Sequence, residues 1–119
     1  MSRPAVLCIS FDETVSRMRV PALSEAGYDV TAVISTSEAL ALKPPRPFDL
    51  VVIGHRFDIK GKEALINKAR NDWKAKVILV CGASNDAELH PDKRVYALEG
   101  VTGLVEAVHE LAPAAALKP

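Results

Sequence analysis

Ala5-Val6-Leu7-Cys8-Ile9-Ser10 is an apolar run without polar alternation, the pattern of a strand buried on both faces. Such a strand needs covering layers above and below it, and the chain that follows supplies them. A helix is expected from about Thr14 to Ala26, where Val15, Met18, Ala22 and Ala26 recur at three- and four-residue steps and Gly27 ends the pattern. Pro21 lies inside it and removes one backbone hydrogen bond, which predicts a kink. Tyr28–Ile34 reads as a second strand, and Ser35-Thr36-Ser37 offers hydroxyl caps to a short helix reaching about Lys43. Pro44-Pro45-Arg46-Pro47 forbids helix and leads into a third strand, Asp49–Gly54. A helix over 61–71, strands at Val77–Gly82 and Val95–Leu98, and a last helix over Thr102–Leu111 complete the alternation. That last helix carries Leu104, Val105, Val108 and Leu111 on one face. Five strands separated by helices or helix-length loops, joined by right-handed crossovers, specify a doubly wound α/β domain of flavodoxin-like type with a five-stranded parallel sheet.

With 119 residues the chain is the size of one ordinary domain. The expected domain is residues 1–111, with 112–119 a flexible, Pro-containing tail. Hydrophobic residues at 49% and charged residues at 25% fit a globular chain, and no apolar run approaches the roughly 20 residues of a membrane span. Fifteen Lys+Arg against fifteen Asp+Glu leave a formal charge of zero, poor material for phosphate contacts, so no nucleic-acid partner is expected. The opening apolar run is short and is followed at once by Asp12-Glu13, unlike an export signal, which predicts a cytoplasmic protein. Cys8 and Cys81 both fall in apolar stretches and read as buried, reduced thiols.

In an open α/β sheet, ligands sit outside the carboxyl ends of the strands. The residues expected there are Ser10, Phe11, Asp12 and Glu13 after strand one, Gly54, His55 and Arg56 after strand three, Cys81 and Gly82 at strand four, and Glu99 and Gly100 after strand five. With Val6-Leu7-Cys8-Ile9, Glu25-Ala26-Gly27-Tyr28-Asp29-Val30, Ser37-Glu38-Ala39-Leu40 and Phe48-Asp49-Leu50-Val51-Val52-Ile53, the chain resembles, over nearly its whole length, the receiver domain of bacterial response regulators. The resemblance implies strand order 2-1-3-4-5. It also implies an acid pair after strand one for Mg²⁺, a phosphate-accepting Asp ending strand three, a Thr or Ser after strand four and a Lys after strand five. A phosphoryl group in transit needs a cation and donors around its oxygens and an aligned carboxylate nucleophile.

Carried onto this chain, the acid pair falls on Ser10 and Phe11, the acceptor on Gly54, the hydroxyl residue on Cys81, and the Lys on Glu99 or Leu98. None of the five matches, so the pocket reads as degenerate. Gly54 has no side chain to phosphorylate, and Ser10-Phe11 offers no carboxylate to Mg²⁺. Asp12 lies one step past the usual pair and reads as a cap of the first helix; Asp58 lies in a loop that no strand end aims at the pocket. The stretch Ser84–Arg94 is short for the family's fourth helix, which is expected to be shortened or missing. No catalytic residue, metal or cofactor is expected.

Two further signals remain. His55 and Arg56 offer donors for an anion beside the switch point, which makes a small anion- or nucleotide-binding crevice the alternative to an interaction module. The plainer reading turns both to water. Lys60, Lys62, Lys68, Arg70, Lys74 and Lys76 form a basic cluster, whereas Asp86, Glu88, Asp92, Glu99, Glu106 and Glu110 load the later chain with acid. That layout suits a charged protein partner in a signalling pathway or weak self-association into a dimer. The expectation is a non-phosphorylatable, receiver-like interaction module.

Overall fold

A computed structural model describes residues 3–82 and 89–113. The apolar runs form β1 (Ala5–Ile9), β2 (Asp29–Val33), β3 (Leu50–Ile53), β4 (Lys76–Cys81) and β5 (Lys93–Tyr96). All pair in parallel in the order β2-β1-β3-β4-β5, with Val6 beside both Val30 and Leu50, and Val51 beside Val77. Between them run α1 (Glu13–Glu25), α2 (Thr36–Ala41), α3 (Ile59–Asp72) and, last, α4 (Gly100–Leu111). The five-stranded, doubly wound sheet expected from the sequence is the fold observed.

The helices begin where side-chain oxygens can take their free amides. Asp12 accepts from Val15 N at 2.9 Å, Ser35 from Glu38 N at 3.1 Å and Asp58 from Gly61 N at 2.7 Å. Asp12 and Asp58 are therefore both caps. Gly27, at φ 104°, closes α1 in a backbone region that L side chains disfavour. α1 runs unbroken through Pro21, at the loss of one internal hydrogen bond.

The sheet separates two apolar layers. Leu7, Ile9, Val51, Ile53, Val77 and Leu79 face α2 and α3; Val6, Leu50, Val52, Ile78, Val80 and Val95 face α1 and α4. Strand starts are stitched by carboxylates: Asp49 accepts from Ala5 N at 2.8 Å, and Asp92 accepts from Val77 N at 2.7 Å. Tyr28, fully buried, donates its hydroxyl to Ala112 O at 2.7 Å and so ties the end of α4 to the body. No helix among the described residues is long and apolar enough to cross a membrane.

Three expectations are corrected. β5 lies two residues earlier than the sequence pattern suggests, at Lys93–Tyr96, with Tyr96 opposite Cys81. Its lone buried residue is Val95, so the apolar signal of a half-covered edge strand is weak. Gly100 consequently does not end a strand; it follows a 3-10 turn, Ala97–Glu99, and opens α4. Finally, the basic set is not simply displayed: Lys62 is 1% exposed, Lys68 pairs with Asp72 at 2.9 Å and Arg70 lies 3.6 Å from Asp92. The expected shortening of a helix between β4 and β5 falls mostly on 83–88, outside the described residues; residues 89–92 are not helical.

Candidate functional site

The carboxyl ends of β1, β3 and β4 bring Ser10, Gly54 and Gly82 to one edge of the sheet. Ser10 is buried, its amide bonded to Val33 O at 3.1 Å, and Gly54 N donates to Ile9 O at 2.8 Å. The residue that fills the space between them comes from α1. Arg19 is half-buried, and its Nη1 donates to Ser10 Oγ at 3.5 Å. A Cβ placed on Gly54 would stand 3.0 Å from Ile9 O and 3.6 Å from both Arg19 Nη1 and Phe57 Cε2. A guanidinium thus lies beside the point where a side chain at position 54 would begin.

Aromatic side chains cover the outer side. The Phe11 ring meets Phe57 edge-on with centroids 6.0 Å apart, and the Arg56 guanidinium sits over Phe11 at 5.8 Å. His55 takes another direction: a Cβ on Gly82 would come within 2.6 Å of its Cδ2, so the absence of a side chain there admits the ring. His55 and Arg56, adjacent in sequence, thus have different neighbours. Cys81 is buried among the residues facing α2 and α3. Glu99 lies on the exposed 3-10 turn, where its Oε2 accepts from Tyr96 N at 2.7 Å. The residue following β5 is Ala97, so the strand-five position expected at Glu99 is not at the strand's end.

Electrostatics follow from this packing. Burial pushes the Cys8 thiol up, opposed by the contact with Ser10 Oγ and by the Arg19 charge. Burial also holds Arg19 below its ordinary value, opposed by Cys8 and then by Asp12. Hard-cation chemistry is not supported here. Ser10 faces a guanidinium, Asp12 is engaged as a cap, and Gly54 contributes no oxygen from a side chain. The residues present do not fit Mg²⁺. No cluster of three or more potential metal-ligating side chains occurs among the described residues.

A receiver domain from Methanospirillum hungatei superposes with a TM-score of 0.77 at 22% identity, covering 92% of this chain and 93% of that one. The signal receiver domain of a LuxO repressor-like protein from Vibrio parahaemolyticus gives 0.75 at 16% identity, covering 92% and 89%. The chain has the receiver fold. A structure described as adenylate cyclase from Rhodopirellula baltica, at 18% identity and a TM-score of 0.73, covers 93% of this chain and 90% of that one. No family model and no curated protein sequence matches.

Within the receiver fold, sequence reasoning placed Gly54 at the end of β3 but missed Arg19 beside it. The expected inward stripe of α1 includes Met18, which is 55% exposed, whereas Leu23 is fully buried. Val15, Arg19 and Leu23 recur at four-residue steps along the helix. An arginine between two apolar residues at that spacing was the available signal.

Proposed function

We propose that this chain is a phosphorylation-independent receiver-like module that acts by binding a protein partner in a two-component-type signalling pathway. The observation that carries the reading is Gly54: the position corresponding to a receiver's phosphate acceptor has no side chain, and the Arg19 guanidinium stands beside it. A carboxylate nucleophile is what the transfer requires, and a cation supplied by α1 occupies the neighbourhood of the metal-binding acids. Both changes remove the trigger and leave the scaffold.

The surface at the same edge supports an interaction role. Phe11, Met18, Tyr96 and Leu98 are exposed around the ends of β1 and β5 and on the first turns of α1, an apolar set unusual for solvent alone. The charge layout gives self-association less drive, because Lys68, Arg70 and Lys93 each have an acid close by. A cytoplasmic setting, a domain spanning residues 1–111 and the absence of catalysis complete the proposal. Incubation with acetyl phosphate and Mg²⁺, followed by intact-protein mass spectrometry, is expected to yield no adduct. A stoichiometric acyl phosphate overturns the reading.

A further inference from the structure

A groove of about 350 Å³ opens between α1, β5 and α4. Its walls are Val15, Met18, Val80, Val95, Val101 and Leu104, and Arg19 and His55 line the same space. The size lies within the range of small-molecule sites, which combine apolar walls with a few convergent polar groups. Arg19 supplies the second observation. Within the described residues its only bond is the 3.5 Å contact of Nη1 with Ser10 Oγ, and no carboxylate among them lies within ion-pair distance. Asp12, the carboxylate whose charge acts on it, is committed to Val15 N. A half-buried guanidinium with unused donors is therefore set into an apolar wall.

We propose that this groove binds a small organic monocarboxylate, with the carboxylate on the free donors of Arg19 and an apolar body along Val95, Val101 and Leu104. The planar guanidinium fork matches a carboxylate in two parallel hydrogen bonds. A single positive group in apolar surroundings favours a single negative charge. Desolvation disfavours the doubly charged phosphate monoester. The inference is separate from the phosphorylation-independent reading: failure to bind an organic acid leaves that reading standing, and an acyl phosphate at another residue leaves the groove as described.

The test is titration of the full chain with butanoate, hexanoate and octanoate, monitored through the methyl resonances of Met18, Val95, Val101 and Leu104. Saturable shifts at these methyls are expected, with affinity rising roughly fourfold per added methylene until the groove is filled. Arg19→Gln is expected to weaken octanoate binding at least about tenfold, the worth of one charge-assisted pair. Octanol and octylammonium are expected to bind far more weakly than octanoate. Should Arg19→Gln fail to fold, Met18→Glu, at an exposed position on the groove wall, carries the same expected loss by charge repulsion. The proposal is overturned if octanoate gives no saturable shift up to about 10 mM. It is equally overturned if octanol binds as tightly as octanoate, or if either folded variant binds as the unaltered chain does.

Discussion

Arg19 holds a full positive charge in a half-buried place with one long hydrogen bond to a neutral hydroxyl. A desolvated ion with so little compensation contributes little to stability, and replacing it by an apolar side chain of similar reach is often neutral or favourable. Arg19→Met is therefore expected to leave unfolding free energy unchanged or to raise it by up to about 1 kcal/mol, measured by urea denaturation. A loss above about 2 kcal/mol would show the guanidinium to be structural. Cys8 makes the opposite kind of statement. Its thiol is fully buried in β1 and pushed up, so the folded state keeps the proton after the unfolded chain has lost it. This contribution is fully present below the unfolded thiol value of about 8.5 and declines as pH rises toward the higher folded value. Cys8→Ala is expected to lower stability at neutral pH by about 1 kcal/mol through lost packing, and to flatten the fall that sets in above about pH 8.5. Chemical denaturation across that window checks the slope; an unchanged slope removes Cys8 as its source.

The joint between β5 and α4 is the element most altered from the sequence expectation, and Gly100 explains its geometry. It sits at φ 69°, ψ −166°, a region open essentially to glycine, and a Cβ there would meet nothing within 4 Å. The requirement is one of backbone conformation and not of space. Gly100→Ala is expected to cost about 1–3 kcal/mol, read from the urea midpoint at constant slope, and to perturb the groove formed with Val101 and Leu104. A neutral effect would mean that the turn readily adopts another conformation. Just inside α4, Gly103 lets the Glu99 side chain lie close: a Cβ on it would come within 2.6 Å of Glu99 Cβ. Glu99 therefore closes the turn by accepting from Tyr96 N, the role its position in the sequence did not disclose. Two helix starts were more legible. Asp12 and Ser35, expected as caps, each stand just before a helix and cap it, because capping is decided by residues three apart in the chain; Asp58, read as a loop residue, caps α3, which begins at Ile59 and not at 61.

For the whole molecule, charges of opposite sign are paired across elements. Lys93 meets Glu110 at 2.8 Å across β5 and α4, and Arg70 and Asp92 join α3 to the segment preceding β5. The sequence by itself determined the alternation of strand and helix, the parallel layering and the bare end of β3, since Val6–Ile9 and Leu50–Ile53 announce burial on both faces and Gly54 has no side chain wherever it lies. Tertiary structure alone decided which side chain entered the edge at Ser10 and Gly54. Arg19 is nine residues from Ser10 and thirty-five from Gly54, and it reaches both only because the rotation of α1 against the sheet turns Val15, Arg19 and Leu23 inward and Met18 out. The placing of β5 was decided in the same way, by its pairing with β4, because four residues with one buried side chain carry too little periodicity to fix a register. Local pattern records what a segment can become; the packing of distant segments settles which polar group is left facing an apolar groove.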